Sequence, residues 1–252
     1  MSGDPWIVAT RNQGKLRELR ALFSEAGIDV IDLDQAGIDA RPEEEESVEV
    51  HDTFEGNALA KARYFGRRAG GRTVLADDSG LEVLALGGEP GVRSRRWSGR
   101  SDLEGDALDS ANNRLLIGRL GGHTDWRARF VCAVAWVEGA GAGAGASARA
   151  SAGAGAGAGA GASASASAIG GAEVEGETDA VVVRGEVEGT IVMRGEGDAG
   201  FGYDPHFFVS ELGCTLGQAT VDEKQRVSHR ARAMAALLDV LGSRRLLSRT
   251  RG

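Results

Sequence analysis

Apolar positions along this chain switch between two spacings, and the switches mark out its elements. Trp6-Ile7-Val8-Ala9-Thr10 is a short apolar run of strand length. Asn12 follows as an N-cap residue, and Leu16, Leu19, Leu22 and Phe23 recur at helical spacing along one face. Ile28 to Leu33 reads as a second strand. Asp52-Thr53-Phe54-Glu55 has the capping-box spacing, Asp52 to Glu55, and opens a long helix whose apolar side carries Ala58, Ala62 and Phe65. Thr73-Val74-Leu75-Ala76 is a β-prone run that delivers two adjacent carboxylates, Asp77 and Asp78, to a predicted turn at Ser79-Gly80. Another strand is predicted over Glu82–Leu86, and a helix over about Leu103–Leu120. Ala128 to Val137 is strongly β, and its hairpin partner resumes at Ala180–Val183. Gly189–Arg194 reads as a further strand and Ala231–Leu241 as a closing helix with an apolar face. A β-α-β start followed by antiparallel elements predicts an α/β or α+β domain around one mixed sheet.

One stretch stands apart. From about 139 to 171 the chain is almost entirely Gly, Ala and Ser, broken by Arg149 and Ile169. Such a composition has almost no side chain to bury and cannot offset the entropy of ordering, so a disordered surface insertion inside the β-hairpin is expected. It holds 11 of the chain's 39 glycines.

The bulk properties narrow the function classes. At 252 residues the chain can bury a proper core. A net charge of −8 argues against general binding of nucleic acid polymers, which needs a basic footprint, but leaves room for a local basic pocket. Cys132 and Cys214 have neither metal-ligand nor CxxC spacing, so buried free thiols in a reducing compartment are expected. No apolar run is long enough to span a bilayer, and the start lacks the pattern of a signal peptide. The chain is expected to be soluble and cytoplasmic. The GxxxxGK[ST] pattern is absent from it.

Four polar clusters interrupt the regular pattern. Thr10-Arg11-Asn12-Gln13-Gly14-Lys15 lies between a strand and a helix, where N–H groups at the helix start, with Lys15 and Arg11, make an anion site. The plainer reading is a βα turn with a solvated lysine. Glu43-Glu44-Glu45-Glu46 follows Pro42; such runs are mostly solvated loop, with one member a candidate to join Asp78 on a metal. Asp77-Asp78-Ser79-Gly80 is the third cluster. Side chains alternate along a strand, so only one of the two carboxylates can face a given site, and that one suits a hard divalent cation such as magnesium. The plainer reading is a surface turn. Lys61, on the preceding helix, is a candidate for the same pocket, against the default of a surface lysine. The fourth cluster runs from Gly200-Phe201-Gly202-Tyr203-Asp204-Pro205 through Phe207-Phe208 to Asp222-Glu223-Lys224 and Ser228-His229-Arg230. An aromatic flanked by glycines is a platform for a flat ring, and the donors of Ser228-His229-Arg230 suit a carbonyl on a base edge. Phe207 and Phe208 read better as core; Tyr203 as a packed aromatic and His229-Arg230 as a helix-start pair remain open alternatives.

Taken together, Thr10-Arg11-Asn12-x-Gly14-Lys15, Thr53-Phe54-Glu55-x-Asn57-Ala58-x-x-Lys61-Ala62, Ala76-Asp77-Asp78-Ser79-Gly80-Leu81, Pro90-Gly91-Val92-x-Ser94, Phe201-Gly202-Tyr203-Asp204-Pro205 and Ser228-His229-Arg230 resemble the inosine triphosphate pyrophosphatase family. The six motifs occur in the family's order and cover the chain outside the insertion. The resemblance implies a magnesium-dependent hydrolase that converts non-standard purine nucleoside triphosphates (ITP, dITP, XTP) to the monophosphate and pyrophosphate. It implies a single elongated α/β domain of two lobes around a central mixed sheet with flanking helices, the nucleotide in the cleft between them, and a homodimer. Carried over by position, Thr10, Arg11, Asn12, Gln13, Gly14 and Lys15 resemble the triphosphate-binding loop. Asp78 resembles the metal-binding general base, with Ser79 and Lys61 beside the substrate. Phe201, Gly202, Tyr203 and Asp204 resemble the base-contacting segment, Lys224 a further contact, and His229 and Arg230 the pair reading the 6-oxo group. Glu43 matches best as the second metal ligand, with Glu44 and Glu45 as alternatives. Arg11 departs from the Thr-Gly-Asn usual in the family, and is expected to reshape or reinforce the phosphate site. Two rivals remain: a Maf-like pyrophosphatase acting on other modified nucleotides, and a nucleotide-binding regulator without turnover.

Overall fold

A computed structural model describes residues 4–139 and 180–249, so the insertion expected over about 139–171 lies, except for Gly139, outside the described residues. Seven strands form one sheet: β1 (Trp6–Val8), β2 (Val30–Asp32), β3 (Val74–Val83), β4 (Arg127–Val137), β5 (Ala180–Ile191), β6 (Phe207–Val209) and β7 (Cys214–Thr215). Their spatial order is β2-β1-β3-β4-β5-β6-β7. β1 pairs in parallel with both β2 and β3, and every later pairing is antiparallel, which makes the sheet mixed. The helices are α1 (Gln13–Glu25), α2 (Pro42–Glu46), α3 (Phe54–Arg68), α4 (Gly105–Leu120), α5 (Val221–Val227) and α6 (His229–Arg249).

Helical spacing decides what each helix buries. Asn12 caps α1 by accepting from the Lys15 N–H at 3.0 Å, and Leu16, Leu19 and Phe23 then face the sheet. They pack with Val8, Leu75, Cys132 and Val134 and with Ala233, Met234 and Leu237 of α6. On the opposite face Phe54, Ala58, Ala62 and Phe65 of α3 cover Ile7, Ala9, Val74, Ala76, Val131, Ala133 and Ala135. A third cluster, with Leu81, Val83, Phe130, Val187, Ile191 and Phe207 packed against Leu116 and Leu120 of α4, forms the second lobe. Each fully buried Leu or Phe contributes roughly 1.5–3 kcal/mol. β4 and β5, of 11 and 12 residues, run through both lobes, a span of roughly 35 Å. Cys132 and Cys214 are free thiols; burial pushes Cys132 up to about 12, so it stays protonated and inert.

Three local expectations change. The turn predicted at Ser79-Gly80 is absent: β3 runs straight through it, and the separate strand predicted from Glu82 is β3's own end followed by a 3-10 turn at Leu84–Leu86. Pairing with β4 supplies the reason, since Asp77 stands opposite Val134, Asp78 opposite Ala133, Ser79 opposite Cys132 and Gly80 opposite Val131. A partner strand outweighs local turn preference. The cap of α3 is Thr53, which accepts from Gly56 N–H at 3.1 Å, so the box expected from Asp52 to Glu55 does not form. Of the strand predicted over Gly189–Arg194, only Gly189–Ile191 is strand, as the end of β5. Among the described residues, no helix is long and apolar enough to cross a membrane.

Candidate functional site

The fold creates one crevice by topology. β1 sits between β2 and β3, with α1 packed on one face of the sheet and α3 on the other. The connection from β1 to β2 thus crosses one face through α1 and that from β2 to β3 crosses the other through α3, leaving a crevice of the kind in which open α/β sheets bind ligands. β3 outruns β1 here: their pairing ends at Val8 opposite Leu75, and Asp77, Asp78 and Ser79 lie just beyond. The same four residues, 77–80, separate the first lobe's Leu75 and Ala76 from the second lobe's Leu81 and Val83.

Alternation along β3 sends the two carboxylates to opposite faces. Asp77 points to the α1 and α6 side. It is 1% exposed, meets Lys15 Nζ at 3.0 Å and lies 3.6 Å from Arg230 Nε, while Lys61 Nζ donates to its backbone carbonyl at 3.3 Å. Burial works to raise its pKa, but Lys15, Arg230 and Lys61 outweigh it and hold the carboxyl well below the usual range. Its Oδ1 is buried without a hydrogen-bond partner. Asp78 points to the α3 side, where Oδ2 accepts from Asn57 Nδ2 at 3.0 Å and Oδ1 from the Ser79 N–H at 2.9 Å. Burial raises its pKa, Lys15 and Lys61 work against that, and the negative charge of Glu49 adds to it. One aspartate is thus a fixed anion and its neighbour a carboxylate with raised proton affinity.

Glu49 is the acidic partner that the sequence did not single out. Its carboxylate pairs with Lys61 Nζ; burial pushes Glu49's pKa up, and Lys61 more than offsets this, leaving it lowered. The expected ligand, Glu43, is instead exposed on α2. Glu44 accepts from Tyr64 Oη at 2.9 Å and Arg41 at 3.2 Å, and Glu45 is taken by Arg11. The run is helical, so its members point outward or back onto α3, and the three residues after α2 carry the chain to Glu49. Glu49 stands alone between Val48 and Val50, four residues ahead of the Thr53–Asn57 motif. Arg11 is corrected too. Its guanidinium turns from the crevice to Glu45 (Nε–Oε2 2.8 Å), Asp34 (3.1 Å) and the Ile38 carbonyl (3.2 Å), so it is no direct phosphate ligand here.

Thr10 Oγ1 accepts from the Asn12 N–H at 3.2 Å, Asn12 caps α1, Gln13 is exposed, and the helix start leaves first-turn N–H groups without intrahelical partners. Gly14 is needed for a close approach: a Cβ there would lie 2.7 Å from the Phe201 ring. The second lobe's segment thereby meets the phosphate-type loop.

At that end Arg230, 2% exposed, pairs with Glu18, donates to Ser79 Oγ at 3.1 Å and sits 5.9 Å from the Phe201 ring centroid. His229 stacks on Phe130 at 4.9 Å, and burial drives its pKa well below the usual value, so it is neutral at pH 7. Its Nδ1 is buried without a partner. Lys224 and Asp204, both expected on substrate, bond to each other at 2.6 Å. Asp204 also accepts from the Phe201 N–H at 3.0 Å, fixing the aromatic from behind. Gly200, at φ +88°, is the residue that lets this pair close over it. Gly202 accepts from Asn113 through its carbonyl and donates to Asp109, which anchors the segment to α4. Tyr203 is corrected from a base contact to core: it is 4% exposed and its hydroxyl donates to the Ser94 carbonyl at 2.8 Å.

Asn57 and Glu18 join Glu49 as residues not singled out for the site beforehand. Asn57 links Asp78 to the His51 backbone, accepting from its N–H at 2.9 Å. Its signal was a polar side chain on the apolar face of α3. Glu18, one turn after Lys15 on α1, lies between Arg230 and Lys224. A cleft of about 660 Å³ opens beside Asn57 and Glu49 and is walled across by Pro90, Gly91 and Arg96. Lysines around paired carboxylates, a capped helix start and an aromatic under a guanidinium are together equipped for a phosphorylated flat ring.

The comparisons agree with this chemistry. The Ham1 family model matches residues 6–240. The dITP/XTP pyrophosphatase of Mycobacterium bovis is 43% identical over 239 residues, covering 94% of this chain and 95% of the relative. That of Bordetella parapertussis is 37% identical over 235 residues, covering 93% and 90%. Among solved structures, the Staphylococcus aureus Ham1 protein aligns with a TM-score of 0.67 and 31% identity over 96% of this chain and 100% of its own. A nucleoside-triphosphatase / dITP/XTP pyrophosphatase from Mycobacterium abscessus aligns with a TM-score of 0.58 and 34% identity over 93% and 99%.

Proposed function

This chain belongs to the Ham1 family, and from that premise we propose that it hydrolyses non-standard purine nucleoside triphosphates (ITP, dITP, XTP) to the monophosphate and pyrophosphate. It is a hydrolase of nucleotide metabolism that removes such nucleotides from the pool. The observation that carries the reading is the gathering at one crevice of the Asn57-bonded Asp78, the Lys15–Asp77 pair and the Lys61–Glu49 pair, next to an aromatic-guanidinium pocket.

Magnesium is the cofactor of this reading, and the donor set fits it. Asp78 and Glu49 offer hard oxygen donors, and magnesium characteristically takes one or two carboxylates and fills its other positions with water and substrate phosphate. Bound there, the ion would neutralise charge developing on the phosphate oxygens. Lys15 and Lys61 add positive charge to the same oxygens, and the first-turn N–H groups of α1 add donors. Asp78 holds, at a carboxylate oxygen, the proton released as water attacks the α-phosphorus and pyrophosphate leaves. Asn57 and the Ser79 N–H fix its orientation meanwhile. Arg230 and His229 are the donors assigned to the 6-oxo group. A 6-amino group there would leave those buried donors unpaired, so adenine is disfavoured. The reading also includes a homodimer in the cytoplasm; sedimentation of the purified chain measures the first.

The test is pyrophosphate release from XTP, ITP and dITP against ATP, GTP and modified pyrimidine triphosphates, with and without magnesium. The expected result is magnesium-dependent turnover favouring the 6-oxo, non-standard purines by at least about a hundredfold in kcat/KM over ATP. Turnover confined to modified pyrimidines would return the Maf-like alternative, and binding without turnover the regulator. A second assay separates the carboxylates. Glu49→Gln is expected to raise the half-saturating magnesium concentration about tenfold, whereas Glu43→Gln leaves it unchanged. The opposite pattern would reinstate Glu43.

A further inference from the structure

Arg11 spends its whole fork on three separate segments. Nε and one terminal nitrogen bind Glu45 at 2.8 and 2.9 Å, the other terminal nitrogen reaches Asp34 at 3.1 Å, and the Ile38 carbonyl accepts at 3.2 Å. Four bonds to a planar group over-determine its orientation. Its backbone stands between Thr10, whose hydroxyl holds the Asn12 N–H, and Asn12, which caps α1. The guanidinium contacts therefore tie the loop that presents Lys15 to Glu45, Asp34 and Ile38.

The other end of the bond is equally committed. Glu45 also accepts from the Arg41 N–H at 3.0 Å and lies 3.6 Å from Arg68 of α3. Tyr64 bonds Glu44 at 2.9 Å, and Arg68 bonds the Asp39 carbonyl at 2.7 Å, so α2 is docked on α3 as well as on Arg11. From the end of α2 at Glu46, three residues lead to Glu49, a reach of at most about 10 Å. α2 is thus a strut: one side holds the Lys15 loop through Arg11, and its end carries the Glu49 arm that meets Lys61.

We propose that Arg11, through its bidentate bond to Glu45, is a positioning residue that sets the distance between the phosphate loop and the Glu49 carboxylate. It touches no substrate. It fixes how far apart the triphosphate's cationic cradle and the carboxylate arm sit, and so acts on nucleotide and magnesium binding together. This inference rests on the pyrophosphatase reading above. A plain surface ion pair with Arg11 30% and Glu45 17% exposed would instead affect little beyond stability.

The experiment measures pyrophosphate release from XTP as a function of nucleotide and magnesium, alongside melting temperature, for Arg11→Ala, Arg11→Lys, Glu45→Ala and the double Arg11→Ala/Glu45→Ala. Arg11→Ala is expected to raise both KM and the half-saturating magnesium concentration about tenfold, short of the roughly hundredfold that a full ångström of misplacement can cost. Its kcat should stay within about twofold, since Asp78 and its partners are untouched. Arg11→Lys keeps the charge and loses the fork, so it should resemble Arg11→Ala. The double variant should be no worse than either single, because the two residues act as one unit. Unchanged KM and magnesium dependence in Arg11→Ala, wild-type behaviour of Arg11→Lys, or multiplicative effects in the double would overturn the proposal. If Arg11→Ala does not fold, Glu45→Gln reads the same coupling with Arg11 intact. No release from any nucleotide by the wild-type chain would sink the pyrophosphatase reading itself, an outcome distinct from all of these.

Discussion

Asp78→Asn is expected to lower kcat for XTP by roughly a thousandfold while the protein stays folded. The carboxylate is buried, bonded by Asn57 and the Ser79 N–H, and raised in proton affinity by burial and by Glu49. A carboxylate can accept a proton from attacking water, and its amide cannot. The stability consequence has a definite sign. A carboxyl whose pKa is higher folded than unfolded costs stability wherever it is ionised in the folded state, so removing the charge relieves that cost. Against this, the new amide has only one oxygen for two donors. The melting temperature is expected within about 3 °C of wild type, on the scale of 1 kcal/mol for a chain of this size. Near-normal pyrophosphate release from the folded variant would remove Asp78 from the chemistry.

The adjacent substitution should do the opposite. Asp77→Asn strips the counterion from Lys15 and Arg230, 3.0 and 3.6 Å away, in a position 1% exposed. Removing one partner of a buried ionic cluster typically costs about 3–5 kcal/mol, because the remaining charge is left uncompensated. A fall in melting temperature of roughly 10 °C is expected at pH 7. The pH dependence follows from the lowered pKa of Asp77. Its contribution is fully present above the unfolded-state value of about 3.9 and is lost as pH falls toward the lower folded-state value. The gap between wild type and variant should therefore be widest near neutrality and close on acidification below about pH 4. A melting temperature equal to wild type at pH 7 would show that Asp77 does not anchor the cluster.

These two residues also show how far the sequence could be read. Their alternation told in advance that only one faces any given pocket, and that Asp78 rather than Asp77 is the reactive candidate followed from the motif. Placing them on a turn was wrong, because Asp, Ser and Gly favour turns locally and the partner strand β4 sits more than 50 residues away. Lys15, Lys61 and Arg230 gather around Asp77, and Asn12 caps α1. Glu43 and Arg11 do not join them, and both misreadings share a cause. The acidic run is helical, so the carboxylate available to Asp78 comes from Glu49 after the helix, while Glu45 captures the Arg11 fork from 34 residues away. Tyr203 is similar: its aromatic ring has the right chemistry for a base, but Ser94, 109 residues earlier, claims its hydroxyl.

What the sequence by itself determined is whatever depends on neighbours within a turn or a pleat. The β-α-β start, the long helices, the cap at Asn12, the sheet-facing sides of α1 and α3 and the run of family motifs are all set by spacings of two to four residues, which helix and strand geometry fix. Tertiary structure alone decided which polar group answers which. Burial leaves each charged side chain to find a partner wherever the packed lobes present one, and those partners come from distant segments: Glu18 for Arg230, Asp204 for Lys224, Glu49 for Lys61, Glu45 for Arg11. Electrostatic pairing inside a fold is a property of the packed arrangement, because its strength depends on distance and exclusion of water that no local pattern encodes.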